Sequence, residues 1–207
     1  MHAFIRKLTA GMRLPVEVSE AVPVFLAQHG FPRTTEHCRL VAAEARRLAD
    51  LFCEAPRLAE QAGWLHDVSA VIPSGERLQA ARLLCLEVLP EEEAYPMILH
   101  QKLSAVLARE VFEIEHAGVL SAIGCHTTLK AGSSSLDKIV FIADKLAWDG
   151  GGEPPERENI LAGLQQSLER GVFVHLDYLW QRREQLRCLH PWFVEAYNEL
   201  ILKYSVY

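Results

Sequence analysis

A chain of 207 residues, half of them hydrophobic, has enough apolar material for one large core, and no Gly/Ser/Pro-rich linker divides it, so a single domain over 1–207 is expected. Lys and Arg number 21 against 27 Asp and Glu; the net charge of -6 and pI of about 5.9 speak against a bulk nucleic-acid binder but leave small phosphorylated ligands admissible. The five cysteines (Cys38, Cys53, Cys85, Cys125, Cys188) show no C-x-x-C spacing and are expected mostly as buried free thiols; with no signal peptide and no membrane-length apolar run, a reduced cytoplasm is the expected setting.

Helical periodicity runs through the chain and strand signals are nearly absent, so the fold class is all-α, with roughly eight to ten helices. Residues 1–14 have no long apolar run and read as a loose or packed terminus. A first helix is expected over 16–29, stopped by Gly30 with Pro32 beyond. Thr34 or Thr35 caps the next, which runs to about Phe52; its apolar stripe of His37, Leu40, Val41, Ala45, Leu48, Leu51 and Phe52 puts His37 on the buried face. Pro56 opens a helix that ends at His66-Asp67, and Pro73 marks a break. A helix over 76–88 is ended by Pro90. The next, from near Pro96 to Phe112, carries His100 near its start, and a shorter one over 116–127 carries His126 at its end. Residues 127–135 form a loop, 136–148 a strongly apolar helix, and 150–155 another loop. Residues 156–203 read as two or three amphipathic helices with a break near His190-Pro191.

Imidazoles and carboxylates are costly to bury without partners. His66 and Asp67 point about 100° apart on a helix, but at a helix end both reach one ion. Asp144 lies in a helix that is apolar nearly all round, on one face with Asp137, Val140 and Phe141. Pairing with Lys145 is not expected, because helix neighbours do not face each other; Lys138 or a distant arginine remains open as its partner. His100 and His126, each alone, read as core or half-buried histidines, and His2, His29, His116, His175 and His190 as structural or surface ones. Together, His37, His66, Asp67, His100, His126 and Asp144 suit a first-row transition metal such as iron or manganese. Six ligands fit two ions that share a bridging carboxylate and a bridging hydroxide. The absence of thiolates from the set argues against a closed structural zinc site.

The order His37 … His66-Asp67 … Asp144 resembles the H…HD…D pattern of the HD-domain metal-dependent phosphohydrolase superfamily. The stretches AGWLHD (62–67), AIGCHTT (122–128) and LDKIVFIAD (136–144) resemble more closely the YqeK-like symmetrical diadenosine tetraphosphate hydrolases, in the right order over about 34–200. The resemblance implies an HD-domain helical bundle with its core over that range and a centre of two divalent or trivalent ions, iron first and manganese as the alternative. It implies that His37, His66, Asp67 and Asp144 hold the first ion, and that His100 and His126 complete the second, with Asp67 bridging. The implied reaction splits a dinucleoside tetraphosphate in the middle, giving two nucleoside diphosphates by attack of the bridging hydroxide.

Asp67 and Lys145 are the expected catalytic residues, and Thr127, Lys130 and Lys145 the expected substrate contacts. The chain departs from the family pattern at four places. Ala70 stands where a lysine is usual, Gln101 and Leu129 where glycines are usual, and Trp148-Asp149-Gly150-Gly151 where a Glu-Pro-x-Arg segment is usual. Expected partners are a small nucleotide, neither nucleic acid nor membrane, and in a possible homodimer a second copy. Two other functions stay open: an HD phosphohydrolase on another nucleotide, and a non-catalytic nucleotide-binding sensor that keeps the fold.

Overall fold

Residues 2–147 and 156–204 are described by a computed structural model, and among them all regular structure is helical. The α-helices in chain order are α1 (Ala3–Leu8), α2 (Val18–Gln28), α3 (Pro32–Leu51), α4 (Pro56–Leu65), α5 (Arg77–Leu83) and α6 (Pro90–Ala94). They continue with α7 (His100–Val111), α8 (Ala117–Cys125), α9 (Ser135–Leu146), α10 (Arg157–Leu164), α11 (Leu168–Trp180) and α12 (Pro191–Tyr204). Short 3-10 turns at Val68–Val71 and Pro96–Leu99 lead out of α4 and into α7. The terminus before residue 14 is packed, with Ile5 of α1 fully buried. No described helix is long and apolar enough to cross a membrane.

Several boundaries differ from expectation. Neither Thr34 nor Thr35 caps α3: Phe31 is the N-cap and Pro32 takes the first helical position, where its missing N–H costs nothing. The helix expected over 76–88 stops at Leu83, and Pro90 opens α6 instead of ending anything. The stop is a left-handed Cys85 (φ 55), whose N–H reaches Arg82 O while Leu86 N–H reaches Ala81 O. Cys53 (φ 56) ends α3 in the same way, and Gly30 (φ 84) ends α2. These capping roles also correct the expectation for the thiols. Cys38 and Cys125 are buried, whereas Cys53 and Cys85 are exposed and Cys188 is half-buried.

The apolar side chains form two clusters that share three helices. The first gathers α2, α5, α7 and α8 with Cys38 and Ala42 of α3, Ala62 and Leu65 of α4 and Val140 of α9. The second gathers α10, α11 and α12 with Val41, Ala45 and Leu48 of α3, Ala59 of α4 and most of α9. Helices α3, α4 and α9 therefore make the seam. At the α3–α4 crossing a Cβ on Gly63 would lie 2.6 Å from Ala42 Cα, so only glycine permits the approach. The closeness explains which face of α3 is buried: small Ala42, Ala45 and Ala49 turn inward. Leu40 and Leu51, expected in the stripe, turn outward and are exposed.

Candidate metal centre

Helix ends on and beside the seam supply the functional side chains. His37 lies in the second turn of α3, and His66 is the C-cap of α4 with Asp67 immediately after it. His100 is the first residue of α7, His126 is the C-cap of α8, and Asp144 lies in the last turn of α9. All six converge. His37 Nε2 is 3.1 Å from His66 Nε2 and 3.1 Å from Asp144 Oδ1, which is itself 3.5 Å from His66 Nε2. His100 Nε2 and His126 Nε2 are 3.1 Å apart. Asp67 stands between the groups: Oδ2 is 3.8 Å from His66 Nε2, and Oδ1 is 3.7 Å from His100 Nε2 and 3.8 Å from His126 Nε2. Two ligand groups result, His37–His66–Asp67 and Asp67–His100–His126, each with its donor atoms within 4.8 Å of one another.

Three rings have their tautomer fixed by a backbone carbonyl, which can only accept. Nδ1 of His66 donates to Gly63 O (2.7 Å), Nδ1 of His100 to Met97 O (2.8 Å) and Nδ1 of His126 to Ile123 O (2.8 Å). In its neutral form each therefore offers the Nε2 lone pair to the centre, as a metal-ligating histidine does. Burial holds His100 below the usual imidazole range and His126 well below it, so both stay neutral. Two neutral lone pairs 3.1 Å apart repel each other, and a shared cation would satisfy both at once.

The carboxylates are held ionised. Burial acts to raise the pKa of Asp67, but the surrounding imidazoles, the charge of His66 first among them, bring it down to about 2. Burial likewise opposes ionisation of Asp144, and Lys145, His37 and His66 hold it well below the carboxylate range. Burial disfavours a charged His66, yet Asp67, Asp144 and Cys38 together raise it well above the usual value. Four imidazoles and two carboxylates, without sulfur, form a nitrogen–oxygen donor set that fits a divalent first-row metal ion. Side-chain exposure is 0% at His66 and 2% at His126 but 19% at His100 and 29% at Asp67, so the centre opens along the Asp67–His100 edge.

The surroundings correct several expectations. Lys145 does pair with Asp144, Nζ to Oδ2 at 2.6 Å. At the last turn of α9 the long lysine stem folds back past its neighbour, a geometry that helix-face spacing does not cover. Lys138 pairs with Glu169 (2.9 Å), not with Asp144. Asp137 is no ligand: it forms the capping box of α9 with Ser134 and accepts from Ser121 Oγ (2.7 Å). Lys130 does not reach the six ligands: its Nζ donates to Ser121 Oγ at 2.7 Å, tying the loop to α8. Thr127 does reach the centre, with Oγ1 2.9 Å from His100 Nε2.

Two departures from the family pattern have local explanations. Leu129 adopts the left-handed conformation (φ 57) that glycine adopts freely, and offsets the strain by burying its side chain completely. Gln101 is fully buried; its Oε1 accepts from Thr127 N (3.2 Å) and Thr128 N (3.3 Å), and its Nε2 donates to Thr128 Oγ1 (3.1 Å). It thus pins the segment that follows His126. Ala70 is half-buried in the 3-10 turn after Asp67. The Trp148-Asp149-Gly150-Gly151 departure lies outside the described residues. Sequence reasoning missed Gln101 as a support, Cys38 beneath His66 and Arg77 beside His100. Only the helical phase of Cys38, one residue after His37, offered a signal.

The HD-domain family model matches residues 34–149, over half of the chain and all six converging side chains. This chain belongs to the HD-domain family. It is 26% identical over 191 residues to the symmetrical bis(5'-nucleosyl)-tetraphosphatase of Halalkalibacterium halodurans, covering 89% of this chain and 95% of that one. An uncharacterized Lactococcus lactis subsp. cremoris protein in the pepC 5' region is 44% identical over 139 residues, 67% of this chain and 70% of its own. The crystal structure of a predicted HD superfamily hydrolase involved in NAD metabolism from Clostridium acetobutylicum superposes with a TM-score of 0.80 at 26% identity. That match covers 88% of this HD-domain chain and 96% of the other.

Proposed function

We propose that the protein is a two-metal phosphohydrolase that cuts dinucleoside polyphosphates symmetrically, releasing two ADP from diadenosine tetraphosphate. One observation carries the reading: Asp67 turns one carboxylate oxygen toward His66 and the other toward His100 and His126. Asp67 would thus be shared by two cation sites, with His37, His66 and Asp144 as the residues that would hold one ion and His100 and His126 those that would hold the other. When bound, the ions supply a nucleophile from water at neutral pH and neutralise charge on phosphoryl oxygens. The name of the Halalkalibacterium relative supports the choice of substrate.

The protein's own residues then hold and orient. Lys145 fixes Asp144 Oδ2 and leaves Oδ1 facing His37 and His66. Thr127, whose hydroxyl lies 2.9 Å from His100 Nε2, stands beside the centre and would be free to donate to a phosphoryl oxygen instead of to that nitrogen. The polyphosphate enters along the exposed Asp67–His100 edge. Water's oxygen adds to a central phosphorus, the bridging P–O bond breaks, and one ADP leaves on its terminal phosphate while the other retains the new oxygen.

A second reading, hydrolysis of another small nucleotide, is favoured by Ala70, which leaves no lysine on the turn after Asp67. Protein loaded with iron or manganese and given a nucleotide panel decides. Diadenosine tetraphosphate converted to ADP alone supports the first reading; turnover confined to mononucleotides selects the second. Absence of any turnover with two ions bound per chain overturns both.

A further inference from the structure

Arg77, at the start of α5, is buried to within 9% of full cover. Its Nε donates to Ile72 O (3.4 Å) and its Nη1 to Met97 O (3.1 Å), with Met97 Sδ at 3.6 Å. Among the described residues no carboxylate lies within ion-pair distance, and Nη2 has no hydrogen-bond partner. Nη2 is not among the buried unpartnered atoms and so reaches solvent, while Asp67 supports the charge only from beyond ion-pair distance; a largely buried cation so thinly compensated is uncommon. Its place is informative: Met97 O is the same carbonyl that receives Nδ1 of His100, which sets the guanidinium beside that ring on its Nδ1 side, near enough for its charge to act on His100 and to feel that of Asp67, the two residues of the open edge.

We propose that Arg77 is a phosphate-binding residue of this centre, its uncommitted Nη2 edge taking a phosphoryl oxygen of the anionic ligand beside His100. The assignment rests on the phosphohydrolase reading for its ligand class, and its geometry is independent of which nucleotide is cleaved. The two carbonyls hold the planar group by Nε and Nη1 and leave only the outer edge to bind, a preorganised fork of the kind arginine offers to phosphate and lysine does not. The electrostatics agree. Burial weakens the charged form of Arg77, and the negative charge of Asp67 supports it. Once Asp67 is committed to cations that support is spent, and an anion becomes the partner the guanidinium lacks.

The test uses inorganic pyrophosphate as probe, titrated by calorimetry into the metal-loaded full-length protein, with metal content and melting temperature measured on the same samples. Arg77→Gln is expected to weaken pyrophosphate binding about tenfold or more, the worth of a charge-assisted hydrogen bond, with metal content unchanged. Affinity unchanged, or lost only in step with metal content, overturns the assignment and leaves Arg77 as a tie between α5 and the turn before His100. If the neutral variant does not fold, Arg77→Lys carries the test. A lysine ammonium held by the same carbonyls has no outer edge, so binding is expected to fall severalfold; wild-type affinity with metal intact overturns the proposal. Because the readout is binding, failure to hydrolyse diadenosine tetraphosphate leaves this result separate from the choice of substrate.

Discussion

Asp67 concentrates the chemistry because its two oxygens serve different neighbours. Asp67→Asn keeps the volume but offers one acceptor oxygen and one amide, which cannot bridge. Under the two-metal proposal, elemental analysis is expected to return about two ions per chain for the wild type and about one for the variant, with hydrolysis lost. Gln101 is tested differently, because it touches no ligand atom. Gln101→Ala strands the N–H groups of Thr127 and Thr128, and is expected to cost about 2 kcal/mol in urea unfolding and to weaken the His100–His126 ion. At this scale the sequence was informative about ligands and silent about their supports. Histidines and aspartates in apolar runs announce themselves; a buried glutamine or arginine looks like any polar residue until its carbonyl and amide partners are visible. Lys130 shows the converse: a lysine near His126 along the chain can still be committed elsewhere, here to Ser121.

Helices α3, α4 and α9 fix the distance between ligands, and the closest approach in the seam is Gly63 on Ala42. Gly63→Ala forces α3 and α4 apart and carries His66 away from His37. The expected cost is about 3 kcal/mol of stability, read by chemical denaturation, together with weaker metal binding; metal affinity equal to wild type would show that the seam does not set the ligand spacing. Element by element, the legible boundaries were those marked by residues with one strong backbone preference, such as Gly30, Pro56 and Pro191. Cys53 and Cys85 close their helices in a left-handed conformation that their side chains disfavour, so nothing in composition marks the stop. The face of α3 was misread at Leu40 and Leu51 for a related reason. A close crossing buries alanines, and hydrophobicity alone ranks leucine above them.

Across the whole molecule, a buried polar knot joins the C-terminal helix to the ligand-bearing part. Glu92 of α6 is fully buried and accepts from Leu89 N (2.8 Å) and Lys102 Nζ of α7 (2.8 Å), with His190 Nε2, just before α12, at 3.2 Å. Burial opposes its ionisation, but these partners prevail and hold its pKa below the ordinary 4.5. A depressed carboxylate contributes stability above its unfolded value and loses it as pH falls through the folded one. Stability from Glu92 is therefore present at neutral pH and fades below about 4.5. Glu92→Ala is expected to cost about 3 kcal/mol at pH 7 and much less at pH 3, a convergence that urea titrations at both values will check. The all-helical class was legible from periodicity throughout, whereas this long-range knot was not, since 98 residues separate His190 from Glu92. The centre divides in the same way between local and distant causes. His66, His100 and His126 each bind the carbonyl three residues back, so which ring nitrogen is offered is decided inside a single turn. Each such segment is ready to coordinate as soon as its own turn forms. Docking of the helices has only distances to set, and drift in their packing can retune the spacing of the donor atoms while every ring keeps presenting the same nitrogen.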